Sequence, residues 1–112
     1  CCARQKSADP ECKHRFCDFD AIHQGNFLFF LNMCRPRNET VSLMWDCASS
    51  LTDHTQCCER LNVENGCLAF CNASSSVMDD DLLHIRCLGH FNSIRDCFRG
   101  HLETHKNIFG DE

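Results

Sequence analysis

The sequence lacks the features of several common protein classes. It has no tyrosine, and its five glycines are scattered, so no glycine-rich calcium-binding loop is present. Its longest apolar run, residues 27–31, is far shorter than the roughly 20 residues that a membrane-spanning helix needs. The formal net charge is −5, and the lysines and arginines are dispersed along the chain. We therefore expect neither a membrane span nor the basic surface of a nucleic-acid-binding protein.

Recognisable catalytic sets are also missing. Asp53 and His54 precede the pair Cys57-Cys58, whereas secreted phospholipases A2 carry their His-Asp pair after a Cys-Cys pair and need a calcium loop. Serines 74–76 are not in a Gly-x-Ser-x-Gly turn. A catalytic cysteine must be a free thiolate. We expect no enzyme, no catalytic residue and no cofactor, and we interpret Asp53-His54 as a helix-entry cap beside an ordinary histidine.

Cysteine is the residue that the chain has in excess. Twelve of 112 residues, about 11%, are cysteine, and more than roughly 8–10% in a short chain is typical of a disulfide scaffold. No Cys-x-x-Cys knuckle of the kind used for zinc occurs. We predict six disulfides among these twelve residues, with a connectivity that the spacing leaves open: Cys1, Cys2, Cys12, Cys17, Cys34, Cys47, Cys57, Cys58, Cys67, Cys71, Cys87 and Cys97.

The cysteines occur in the same order twice. Cys1-Cys2 is followed by gaps of nine, four, sixteen and twelve residues, and Cys57-Cys58 by gaps of eight, three, fifteen and nine. Repeats of about 50 residues often define an architecture. We predict a single module over residues 1–112, built from pseudo-repeats 1–47 and 57–97. Each repeat should contain three bridges in the same pattern.

Apolar spacing favours helices throughout. Cys87, Phe91, Ile94 and Phe98 are spaced like one face of a helix, preceded by Asp79-Asp80-Asp81 at the end where negative charge is favourable. Further helices are predicted over 21–33 and 40–48, and Cys67 and Cys71 are placed on one helical face. Thr52 or Asp53 can cap a helix through Cys57-Cys58. The predicted fold class is all-α, small and disulfide-rich, in two six-cysteine helical units.

Four smaller features complete the list of candidate sites. His101 and His105 have a spacing that can hold zinc on a helix, but without a clear third ligand we predict an exposed helical tail and no metal. The apolar run 27–31 and Trp45 are predicted to be core. Asn38-Glu39-Thr40 and Asn72-Ala73-Ser74 match the N-glycosylation signal. With the disulfides, these sequons predict a protein that is secreted or lies on the extracellular face of the cell surface.

The stretch from Trp45 to Cys71 resembles a known family. It reads W-D-C-A, then T-D-H-T-Q-C-C, then N-V, then C-L-A-F-C, and this pattern is similar to the DB module, a cysteine-rich extracellular domain characteristic of nematodes. The opening cysteines and residues 87–98 also fit the twelve-cysteine layout, whereas residues 99–112 are less alike. The resemblance implies recognition or adhesion at cell surfaces or in matrix and supplies no catalytic residues.

Three functions follow as hypotheses. The first is a non-catalytic module that binds an extracellular protein or receptor. The second is a carrier of a small hydrophobic ligand such as a lipid, which requires an internal pocket of roughly 300–1,000 Å³. The third is a secreted effector or inhibitor acting on a foreign protein. The chain shows no signal peptide or initiator methionine, so we expect a processed small secreted protein or one module of a larger one.

Overall fold

All of the regular structure in the described residues is helical. The computed structural model describes residues 1–37, 39–72 and 81–111, with only the backbone at Asp81. Short 3-10 turns occupy Cys2–Arg4, Asn65–Phe70 and Leu88–His90. The α-helices are α1 Pro10–Phe16, α2 Phe27–Cys34, α3 Thr40–Ser49, α4 Thr55–Arg60, α5 Asp81–Arg86 and α6 Phe91–Leu102. The predicted all-α class is confirmed, and no strand occurs within this described part. No helix in it is both long and apolar enough to span a membrane.

Helix α1 begins at a strong capping sequence. A carboxylate oxygen of Asp9 accepts a hydrogen bond from the Cys12 backbone N–H at 3.0 Å, and Pro10 occupies the first turn, where its missing N–H is harmless. The same carboxylate pairs with Arg37 at 2.8 Å. The backbone N–H of Asp9 donates to Oγ1 of Thr40, which is fully buried at the start of α3. One residue therefore starts α1 and fixes it to α3.

The two helices predicted over 21–33 and 40–48 have different outcomes. Helix α3 confirms the prediction over 40–48 and ends at Ser49. The next residue, Ser50, has a φ of 59°, the left-handed conformation common after helices. The predicted helix over 21–33 is wrong in its first part, because α2 begins only at Phe27. Asn26 explains the difference: its side chain donates to the Ala21 carbonyl and accepts from the His23 N–H, and such local bonds compete with helix formation.

The helices predicted around the later cysteines are also interrupted. Phe91, Ile94 and Phe98 share a buried face of α6 as expected, but Cys87 lies outside that helix, separated by the turn Leu88–His90 that contains Gly89, a poor helix former. Cys67 and Cys71 do not share an α-helical face, because residues 65–70 form a 3-10 turn in which positions four apart point in different directions. Asp79 and Asp80, predicted to precede the helix, lie outside the described residues.

All twelve cysteines form disulfides. In each half the first cysteine pairs with the sixth, the second with the fourth and the third with the fifth. The expectation of three bridges per half in one pattern is therefore confirmed, while superposition of residues 1–47 on 57–97 stays a prediction. The Cα–Cα distances, 5.7 to 6.6 Å, suit disulfides. The pairs are Cys1–Cys47, Cys2–Cys17, Cys12–Cys34, Cys57–Cys97, Cys58–Cys71 and Cys67–Cys87.

The hydrophobic core joins the two halves. Trp45 of α3 is buried, as predicted, and its ring packs edge-on against Phe98 of α6 and Phe70. The apolar run 27–31 is core only in part. Phe27, Phe30 and Leu31 are buried, but Leu28 and Phe29 are exposed on the outer side of α2, because a helix can turn only one face inward.

Candidate apolar pocket

The main candidate site is an apolar pocket between the first half of the chain and α6. Its volume is about 860 Å³. Three helices each contribute one face, at the i, i+3, i+4, i+7 spacing that places side chains in a line. These faces consist of residues 10, 13, 14 and 17 from α1 and its end, residues 41, 44, 45 and 48 from α3, and residues 91, 94, 95, 98 and 102 from α6, with Phe27 and Phe30 of α2 beside them.

The walls of this pocket belong to the core of the protein. Phe98 and Ile94 are buried, and so are Val41, Met44 and Trp45. Side chains this inaccessible cannot form a flat docking surface for a large partner. They can contact a small molecule that enters the pocket, because such sites bury most of the ligand's surface against apolar side chains.

A few polar groups line the same pocket. Lys13 and Arg95 are half-buried cations, and His14 and Asp18 are exposed. The Arg95 guanidinium donates to the Ile22 carbonyl at 3.1 Å and pairs with Asp96 at 3.1 Å. Lys13 Nζ donates to the Gln5 carbonyl at 3.2 Å. Within the described residues, the buried Trp45 indole N–H has no hydrogen-bond acceptor.

Asp53 and His54 serve the local structure. An Asp53 carboxylate oxygen accepts from both the backbone N–H and the hydroxyl of Thr55, and these bonds lower the pKa of Asp53. Asp53 therefore binds the N–H of the first residue of α4, but the N-cap position is His54, whose side chain makes no capping bond. The cap predicted at Thr52 or Asp53 is thus wrong in position. His54 is buried, and its Nε2 lies 2.7 Å from the Ser49 carbonyl oxygen. The two side chains therefore bind different partners, and both stabilise the loop before α4.

The histidines near the end of α6 form a stack. The rings of His101 and His105 are parallel, with centroids 4.1 Å apart, and His54 lies edge-on to His101 at 5.1 Å. Burial lowers the pKa of His101, and the neighbouring His105 and His54 lower it further. His105 is exposed, in agreement with the tail that the sequence predicted, but His101 is half-buried against His54.

A metal centre is not supported by the group that comes closest to one. Within the described part of the chain, one group of three ligating side chains lies close enough to hold an ion, and it consists of Glu64, Cys67 and His90. Cys67 is bridged to Cys87, so its sulfur is not the thiolate that binds metals. The bridge leaves only two ligands there.

The structure describes the asparagine of only one of the two glycosylation signals. Asn72 lies on the surface at the end of the segment 39–72, where a glycan could be attached. Asn38 lies outside the described residues. Modification of either side chain stays a prediction.

The pocket itself was not predicted from the sequence. The sequence predicts Trp45 as core and places Ile94 and Phe98 on one apolar helical face, and all three are buried. The helical spacing of residues 41, 44, 45 and 48 was a usable signal, since it marks one apolar face. Whether three such faces leave a pocket between them depends on the angles at which the helices cross. The spacing of residues along the chain does not predict those angles.

Comparison with known proteins identifies a family but no individual relative. The sequence model of the DB module matches residues 1–98, which include every cysteine and all the pocket residues except Leu102. No curated protein and no solved structure matches the chain.

Proposed function

The chain belongs to the DB module family, and from this premise we propose that it is a non-catalytic extracellular binding module whose pocket takes up a small hydrophobic ligand. The DB module is a small disulfide-rich domain and not a known catalytic family. The many disulfides point to an oxidising, extracellular environment. Secretion and glycosylation at Asn38 and Asn72 form part of the proposal.

The observation that carries this proposal is the size and lining of the pocket. A volume of about 860 Å³ falls within the roughly 300–1,000 Å³ typical of small-molecule sites. The lining is predominantly apolar, with few polar groups. The proposal favours the hydrophobic-ligand hypothesis over protein recognition, because the pocket walls are too buried for a protein surface to reach.

Trp45 provides a direct test, because it is the only tryptophan and lies in the pocket wall. The oxidised protein would be titrated with a neutral long-chain alcohol carrying bromine on its alkyl chain, since bromine quenches indole fluorescence at short range. We expect saturable quenching. Quenching that rises linearly without saturation would contradict the proposal.

A matched pair of variants ties the signal to the pocket. Ala48 lines the pocket and is half-buried, and Ala69 is half-buried elsewhere. Ala48→Phe should fill part of the space and weaken binding at least about tenfold, whereas Ala69→Phe should bind like the unmodified protein. Both variants must retain six disulfides and native helix content for the comparison to hold. Equal binding by the two would place the ligand outside the pocket.

Recognition of an extracellular protein or receptor is the second candidate function. Leu28 and Phe29 are exposed on α2, and Arg15 lies 5.5 Å from the centre of the Phe29 ring. Arginine and aromatic side chains are frequent at the energetic centres of protein interfaces. The third hypothesis, an effector acting on a foreign protein, differs from this one only in which organism supplies the partner.

Capture from a library of extracellular proteins tests the second candidate. We expect the double variant Leu28→Ser, Phe29→Ser to lose any specific partner that the unmodified protein retains. Leu61→Ser, which removes an exposed leucine at another site, is the control and should keep it. A partner retained by both variants would not bind through α2.

A further inference from the structure

We propose that the ligand of the apolar pocket carries an anionic headgroup, which Lys13 binds at the pocket wall. This inference rests on the proposed function, since it requires the pocket to bind a small hydrophobic molecule. It adds the chemical class of that molecule: an alkyl chain ending in a carboxylate or a phosphate.

Cations outnumber anions among the side chains that line the pocket, although the chain as a whole is acidic. The whole chain has a formal charge of −5, yet the pocket is lined by two cations, Lys13 and Arg95, and by one anion, Asp18. An acidic protein that collects positive charge at an apolar pocket offers electrostatic complementarity to an anionic amphiphile. A cationic amphiphile would meet repulsion there.

Lys13 is the cation whose charge is least compensated. It lies on the face of α1 that lines the pocket and is half-buried. Its ammonium group has three N–H donors, of which one binds the neutral Gln5 carbonyl. No carboxylate among the described residues forms an ion pair with it. Two donors therefore remain for a ligand.

The other two charges are already occupied. Arg95 pairs with Asp96 through both Nε and Nη2 and holds the Ile22 carbonyl through Nη1. Asp18 accepts a hydrogen bond from the Asp20 N–H and contributes, after Asp20 and Glu103, to raising the pKa of Arg99. Neither group offers a free charge comparable to that of Lys13.

Desolvation makes the pairing favourable. A partly buried charge without a partner is unfavourable, and a hydrogen bond between charged groups is roughly twice as strong as one between neutral groups. When an alkyl chain fills the pocket, water is displaced from Lys13. An anionic headgroup would then replace the lost hydration, which an alcohol does only weakly.

The test compares four ligands with the same alkyl chain: dodecanoate, dodecyl phosphate, dodecanol and dodecyltrimethylammonium. Each competes at neutral pH with the brominated alcohol for quenching of Trp45 fluorescence. Because a charge-assisted hydrogen bond is stronger than a neutral one, dodecanoate or dodecyl phosphate should bind about tenfold more tightly than dodecanol. The ammonium compound should bind most weakly. The order of the two anions distinguishes a carboxylate from a phosphate ligand.

Variants of Lys13 separate charge from pocket shape. Lys13→Gln should remove the advantage of the anions and leave dodecanol binding unchanged, and Lys13→Arg should retain it. Lys106→Gln removes the same charge at an exposed position outside the pocket and should behave like the unmodified protein. If all four ligands bind equally, or if Lys13→Gln keeps the preference, the anionic headgroup is wrong while the pocket proposal stands. If none binds, both proposals are wrong.

Discussion

Trp45 and Phe98 pack edge-on against each other, with ring centroids 5.1 Å apart. The contact joins α3 in the first half of the chain to α6 in the second. The disulfides do not make this connection, because every bridge lies within one half. The association of the halves therefore depends on non-covalent contacts, in which this apolar packing is joined by polar contacts such as the Arg99–Asp20 ion pair at 2.7 Å. The pocket lies along that same junction.

Shortening Phe98 tests this dependence. Phe98 is 2% exposed, so Phe98→Ala should lower the free energy of unfolding by about 3–5 kcal/mol. Chemical denaturation with the disulfides intact measures the change. Phe109→Ala, at a residue that is 37% exposed, should lower it by less than about 1 kcal/mol. Equal losses would mean that the junction is not part of the cooperative core.

The sequence predicted the helical class and three bridges per half in one repeated pattern, but neither which cysteines pair nor the exact helices. The repeated cysteine spacing showed that the two halves should be bridged alike, but the choice of partners depends on how the helices fold, which spacing does not give. The apolar spacing did not predict the late start of α2, which depends on hydrogen bonds made by the Asn26 side chain. It also missed the break near Cys87, since apolar spacing continued across a turn. Side-chain bonds and turns are local competitors that periodicity does not register.

Disulfide mapping should reproduce the pairing without free thiols. Proteolysis of the non-reduced protein followed by mass spectrometry should yield linked peptides that account for all six bridges, with Cys1-Cys2 and Cys57-Cys58 each joining two bridges in one set. Cys57 and Cys58, although adjacent, should reach separate partners, Cys97 and Cys71, because neighbouring residues in a helix point about 100° apart. A bridge between the first and second halves would contradict the structure.

Glycosylation gives a prediction for the surface at Asn72. Secretion from eukaryotic cells should produce a mass above that of the polypeptide, which removal of N-linked glycans abolishes. Since Asn72 is exposed, Asn72→Gln should eliminate the glycan at that site. The same substitution at Asn38 tests the other signal. Complete absence of sugar from both positions in secreted protein would contradict the prediction.

The histidine stack should make stability depend on pH. The pKa of His101 is lowered from its ordinary value of 6.5, first by burial and then by His105 and His54. The unfolded chain therefore binds a proton at His101 more readily than the folded chain does. The resulting stability is fully present above about pH 6.5 and is lost as pH falls from there toward the lowered value, because protons then favour the unfolded state.

Two variants assign this dependence to His101. Replacing the neighbour, His105→Gln, should move the pKa of His101 upward, since one source of repulsion is removed. Replacing His101 itself by glutamine should reduce the fall in melting temperature between pH 7.5 and pH 5. Proton NMR titration of the histidine ring signals measures the first effect, and thermal unfolding at the two pH values measures the second. A melting temperature that rises on acidification in the unmodified protein would reverse the predicted sign. A His101 pKa that does not change in His105→Gln would show that the stacked ring exerts no electrostatic influence.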